Sequence, residues 1–142
     1  MPVITGLVMT GPSLAGGPGS ENAATRIENT PERQAICEKA VARYKETQPD
    51  AKDEGVHVVL LHKYNFCPLD LTIKVGETVR WVNVDKRTSH SVWLKDAGLP
   101  ESERFFPDEQ WEHTFTSPGT YNYLCGPHWD SDDMRGYLTV VE

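Results

Sequence analysis

From residue 56 to the C-terminus the chain is a series of short β-type runs separated by turn residues, and no other feature restricts its fold so tightly. Residues 56–61, 69–75 and 78–84 are rich in β-branched and aromatic side chains, with Gly76-Glu77 as the turn between the last two. Further strands are expected at 90–94, 111–116, 120–124 and 136–141. Pro118-Gly119 turns the pair around Phe115 and Tyr121, because proline presets the second turn position and glycine accepts positive φ at the third. The segment 95–110, with Pro100, Pro107 and five acidic residues, reads as a long surface loop. Many short strands at this spacing form a sandwich or a barrel. A chain of 142 residues supports one core of ordinary size.

Ahead of the strands the period changes. Thr30 is a good N-cap, Pro31 suits the first helical position, and Glu32 complements the positive end of the helix dipole. Ile36, Cys37, Ala40, Val41 and Tyr44 recur at helical spacing, while Glu38, Lys39, Arg43 and Lys45 fall elsewhere. Pro49-Asp50 marks the latest end of this helix. Its apolar stripe needs a surface to cover, and the outside of the sandwich near Cys67 is the expected one. Residues 11–29, rich in Gly, Pro, Ser and Asn, read as a flexible linker. At the start, the mildly apolar run 3–10 precedes Ser13-Leu14-Ala15, whose small residues fit a signal-peptidase site, but no basic residue comes first. A signal peptide and a disordered tail are both open readings. The divisions are therefore 1–29 (signal-like segment and linker), 30–55 (helical extension) and 56–142 (β domain).

Composition narrows the partners. The net charge of −7 argues against nucleic acid and favours basic partners. No run approaches the roughly 18 apolar residues of a membrane span, so a soluble mature protein is expected.

The chemistry gathers near the end, in Cys125-Gly-Pro-His128 with Met134 six residues past the histidine. A thiolate, an imidazole and a thioether on one loop suit copper, and His90, just beyond the run 78–84, can add a second imidazole. Two histidines and a cysteine in a trigonal set with a weak methionine bond make an electron-transfer copper site. Structural zinc typically takes four Cys or His ligands, and only three are placed here. A binuclear copper centre would need a second cysteine in the same loop. His57, His62 and His113 share no spacing and are read as strand-surface residues. No nucleophile elbow, phosphate loop or paired-carboxylate motif appears, so enzyme activity is not expected. Trp81 and Trp93 alternate with polar neighbours as core aromatics do, whereas Trp129 follows a candidate ligand and is expected at the surface.

From about Val56 onward the sequence resembles the cupredoxins, the small blue copper proteins, and within them the plastocyanin and pseudoazurin branch. The resemblance rests on an ordered set: Val75-Gly76-Glu77-Thr78-Val79 leading to Trp81 and Asn83; His90; Phe115-Thr116-Ser117-Pro118-Gly119-Thr120-Tyr121 running into Tyr123-Leu124-Cys125; and Met134-x-Gly136. Five residues lie between His128 and Met134, one more than is usual in the short-loop members, and Ser91 stands where asparagine is common. The resemblance implies an all-β Greek-key sandwich, here with an N-terminal α-helical extension that the family core lacks. It implies one type 1 copper held by His90, Cys125 and His128 with Met134 axial. It further implies a soluble, periplasmic or otherwise extracytoplasmic carrier of single electrons. Exchange would pass through His128, with Trp129 in the docking patch and Asp130, Asp132 and Asp133 steering a basic partner such as a cytochrome c. A copper-binding enzyme or copper-handling protein on the same fold is the alternative, and a metal-free interaction domain a third. With Cys125 assigned to metal, Cys37 and Cys67 are left either as a disulfide, in keeping with export, or as two buried thiols.

Overall fold

The structure, a computed structural model, describes residues 26–142. The signal-like segment and most of the linker lie outside the described residues. Helix α1 runs Pro31–Thr47, opened as expected by Thr30, whose hydroxyl accepts from the Arg33 amide at 3.1 Å. Eight strands follow: β1 Val56–His62, β2 Asn65–Cys67, β3 Asp70–Lys74, β4 Thr78–Asn83, β5 Gln110–Thr114, β6 Gly119–Thr120, β7 Tyr123–Leu124 and β8 Arg135–Val141. A 3-10 turn at Lys95–Ala97 and a one-turn helix α2 at Trp129–Asp132 complete the set.

The strands form two sheets. One has the order β2-β1-β4-β5, with β1 and β4 parallel; the other has β3-β8-β6, with β3 and β8 parallel and β7 also pairing β8. Val59 and Leu61 of β1, Val79 and Trp81 of β4, Ile73 of β3, and Leu138 and Val140 of β8 meet between the sheets with Phe66, Phe115 and Tyr123. Their alternate-residue spacing is the strand periodicity that the sequence carries. Where β8 passes Tyr123 a side chain would not fit, since a Cβ on Gly136 would lie 2.3 Å from the tyrosine ring. The glycine of Met134-x-Gly136 is thus explained by close packing.

The opposite face of β1 and β4 is buried as well. Leu60, Val82 and Val84 pack there against Ala40 and Tyr44 of α1 and against Cys67. Tyr44 donates its hydroxyl hydrogen bond to Asp53 at 2.8 Å. The question over the cysteines closes here: Cys37 and Cys67 are disulfide-bonded, with Cα atoms 5.4 Å apart. Of the expected stripe, Cys37, Ala40 and Tyr44 cover the surface that the sequence indicated, whereas Val41 stays 43% exposed.

Three local expectations change, the first being that the strand expected at 120–124 divides into β6 and β7 with Tyr121 and Asn122 between them. Residues 90–94 make only two isolated bridges, His90 to Phe105 and Trp93 to Leu124, because the backbone between them turns to other partners, among them the Ser102 hydroxyl. Trp93 is accordingly half-buried rather than a core aromatic, while Trp81 is fully buried. The short strand β2 has no counterpart in the expected set. It completes a hairpin with β1 through a turn in which Lys63 and Tyr64 both take positive φ, of 47° and 64°.

Candidate metal centre

β4 ends in Asn83, and that side chain shapes the loop beyond it. Its amide donates to the carbonyls of Thr88 and Phe105 at 2.8 and 3.1 Å, and its oxygen accepts from the Asp85 amide at 2.9 Å. His90 is held at the end of this loop, fully buried, by paired backbone bonds to Phe105. From the other sheet, β7 delivers Cys125, also fully buried. The Cys125 carbonyl accepts from the amides of His128 and Trp129, which folds the loop back so that the His128 ring faces the sulfur. The residues between His128 and Met134 are taken up by α2 and by Asp133 in a left-handed conformation, φ 52°. Met134 then rejoins the site: its carbonyl accepts from the Cys125 amide at 3.0 Å, and its side chain is fully buried.

The outcome is convergence. Nδ1 of His90 lies 3.6 Å and Nδ1 of His128 3.5 Å from Cys125 Sγ, and the three donor atoms fall within 4.8 Å of one another. The two rings stand 5.0 Å apart at 66°. One buried thiol, one buried and one half-buried imidazole converge, and the loop returns through the buried Met134; this donor set matches the preferences of copper, so the residues present fit that metal. Ser91, at the position where asparagine is common, ties the ligand segments together itself. Its amide donates to Cys125 Sγ at 3.4 Å, and its hydroxyl accepts from the Gly126 amide at 2.9 Å while donating to Glu101 at 2.7 Å.

The outer partners of His90 are not evident from the sequence. His90 Nε2 meets a carboxylate oxygen of Asp85 at 2.6 Å; the other oxygen of Asp85 accepts from His62 Nδ1 at 3.1 Å and from the Lys63 amide at 3.0 Å. Engaging Nε2 fixes the ring so that Nδ1 points inward, a common arrangement around metal-ligating histidines. Burial works to raise the Asp85 pKa, but the His90 hydrogen bond and the Lys63 amide outweigh it and hold the carboxyl below its usual range. His62 is thereby corrected from a strand-surface residue to a buried one, 8% exposed, because its ring is drawn onto Asp85 of the loop after β4 at the base of a cleft beside α1. His57 is half-buried and 2.9 Å from Glu77, and His113 stacks on Trp111; neither joins the cluster. Trp129, expected at the surface, is half-buried, with the Lys95 ammonium 5.8 Å above its ring. A signal for Asp85 would have been its place two residues after Asn83, which reads otherwise as part of a charged loop.

Burial pushes the Cys125 thiol up to about 11, against the pull of the Ser91 and His128 amides, and burial followed by repulsion from His90 lowers His128. At pH 7 the metal-free site therefore holds a protonated thiol and a neutral His128 imidazole. Uptake of a soft cation must expel the thiol proton. The expected outcome is release of roughly one proton per metal bound at pH 7, measured by pH-stat titration of the metal-free protein. No release would mean that the thiol is not a ligand.

Comparison with known proteins agrees with this geometry. The pattern of the copper binding proteins, plastocyanin/azurin family, matches residues 57–141. Amicyanin from Paracoccus versutus is 36% identical over 87 residues, 58% of this chain and 63% of that protein. Chloroplastic plastocyanin from Physcomitrium patens is 33% identical over 53% of this chain and 49% of its own length. The chain thus spans less than two thirds of the length of these relatives. Among solved structures, an oxidised amicyanin variant superposes with a TM-score of 0.56 at 29% identity, covering 64% of this chain and 87% of that one. A copper-containing nitrite reductase from Thermus scotoductus gives 0.55 at 30% identity, but only 22% of its chain is covered. The ordered motifs, the two-sheet sandwich and the convergent His-Cys-His cluster thus have one common explanation, that the chain belongs to the plastocyanin/azurin family of copper binding proteins.

Proposed function

We propose that the chain is a type 1 copper protein carrying single electrons between larger redox partners outside the cytoplasm. The observation that carries this reading is the buried Cys125 sulfur faced by Nδ1 of both His90 and His128. Those three residues would hold copper, with Met134 axial, and copper there supplies a one-electron couple. The chain's own contribution is stiffness. Asp85 fixes His90, Ser91 fixes Cys125 and Gly126, and the Cys125–Met134 backbone bond closes the loop, so the cage has little freedom to rearrange. Residues 56–142 form the copper domain and 30–55 an extension clamped on it by the disulfide.

The Cys37–Cys67 bond supports an oxidising compartment. Among the described residues no helix is long and apolar enough to cross a membrane. The carrier reading is preferred over a copper enzyme because His90, Cys125 and His128 form the one metal-type cluster among the described residues. His128 is half-buried at the edge of the site, beside the exposed Asp130, Asp132 and Asp133, which would steer a basic partner such as a cytochrome c.

Met134→Leu tests the ligand set. The expected result is a higher reduction potential with the visible band retained, because a weak ligand is lost while the trigonal donors remain. An unchanged potential by redox titration would point to a different axial atom.

A further inference from the structure

Although the chain is acidic overall, at −7, it concentrates positive charge in one place. An open cleft of about 710 Å³ lies between α1, the tip of the β1–β2 hairpin and the loop after β4. Lys39 and Arg43 line it from the helix, Lys63 from the hairpin tip, and Lys86 and Arg87 from the loop. Two acidic side chains share the lining. Glu46 is exposed, and Asp85 is buried with its oxygens already engaged by His90, His62 and the Lys63 amide. Arg43 is tied to the Val84 carbonyl, whereas Lys39, Lys63, Lys86 and Arg87 are exposed and form no ion pair among the described residues. Holding this many like charges around one concavity is unfavourable unless an opposite charge comes to it.

The cleft also adjoins both candidate ligand imidazoles. His62, in its wall, is bonded through Asp85 to His90. Tyr64, 41% exposed at the hairpin tip beside the cleft, sets its ring edge-on to His128 with centroids 4.9 Å apart. We propose that this cleft is a docking surface for an acidic protein; it borders the aspartate loop at α2, since Lys63 and Tyr64 also line a smaller cleft with Glu32 and Asp132. The cations are long, exposed and spread over three elements, which suits a protein surface better than an enclosed small-anion pocket. An exposed tyrosine beside them gives contact area with few rotamers to freeze. The partner's being a redox protein rests on the carrier reading; the binding does not. A carrier with a basic face and an acidic face can serve a donor and an acceptor of opposite charge.

The test uses the full copper-loaded, reduced chain and one probe in two charge forms: native cytochrome c, which is basic, and the same protein with its lysines succinylated, which is acidic. Binding is followed by amide chemical shifts and titration at low salt, for wild type and for Lys39→Glu/Lys63→Glu/Lys86→Glu/Arg87→Glu. The acidic form is expected to perturb amides around Lys63, Tyr64 and Lys86, with affinity falling roughly tenfold or more in the variant. Binding of the native form, which would use the aspartate loop, should not weaken. Equal binding of the acidic form by wild type and variant overturns the proposal. So does an equal loss for both forms, or displacement of the acidic form by inorganic phosphate beyond the effect of sodium chloride at matched ionic strength. Should the charge-reversed chain fail to fold, the same four positions changed to glutamine give the same comparison with a smaller fall. A wild type that binds the acidic form at the cleft yet exchanges no electron with it keeps the docking surface and sinks the carrier reading instead.

Discussion

Cys125→Ser is expected to remove the visible absorption of the copper-loaded protein entirely while leaving a folded sandwich. The intense colour of a blue copper centre belongs to the sulfur-copper bond, and a serine hydroxyl is a hard, weakly acidic donor that cannot replace a thiolate. The fold should survive because Cys125 is one member of a core otherwise built from Val59, Leu61, Phe66, Trp81, Tyr123 and Leu138. Serine is also close to cysteine in size, so little volume is lost at a fully buried position. The cost is a buried hydroxyl in place of a thiol, on the order of 1–3 kcal/mol if it goes unpaired. Visible absorbance and circular dichroism on the same sample check both halves. A variant that stayed blue would remove Cys125 from the ligand set, and one that unfolded would show that the site and the core are not separable.

Replacing Cys37 and Cys67 together by alanine is expected to destabilise the chain by about 3–4 kcal/mol, the chain-entropy value for a loop of this length, given the sequence separation of 30. The effect should fall mainly on α1. Without the bond, the helix is held by Ala40 and Tyr44 on the outer face of the sheet, by the Tyr44–Asp53 hydrogen bond, and by the Arg43–Val84 and Arg33–Asn65 contacts. Colour should persist, since neither cysteine touches the His-Cys-His cluster. Denaturant unfolding of both proteins in the same copper state measures the difference. A loss well under 1 kcal/mol would mean that the unfolded chain gains little freedom from the missing bond.

What the sequence made legible follows from local periodicity and donor chemistry. Val59 and Leu61 announce their strand through alternation, and Thr30-Pro31-Glu32 announces a helix start, because both signals reside in neighbouring residues. The candidate ligands stand out because thiol, imidazole and thioether donors seldom gather by accident in one loop. Asp85 and His62 do not, because their burial depends on distant segments. In sequence, Asp85-Lys86-Arg87-Thr88-Ser89 has the composition of a solvated loop; only when Asn83 draws the Thr88 and Phe105 carbonyls together does Asp85 turn inward to His90. His62 shares its face of β1 with Val58 and Leu60, the face that α1 covers, and how far a helix covers a sheet is a matter of packing rather than of pattern. The half-burial of Trp93 has the same origin, since residues 90–94 bridge two different partners instead of forming a strand.

On the proposed reading, His90, Cys125 and His128 hold a single copper as a one-electron carrier. The most direct measurement is a spectroelectrochemical titration of the copper-loaded full chain with metal analysis of the same sample. The expected result is one copper per chain and an intense visible band that bleaches and returns reversibly with one electron. A chain that binds no copper, or binds Cu(II) without that band, would contradict it.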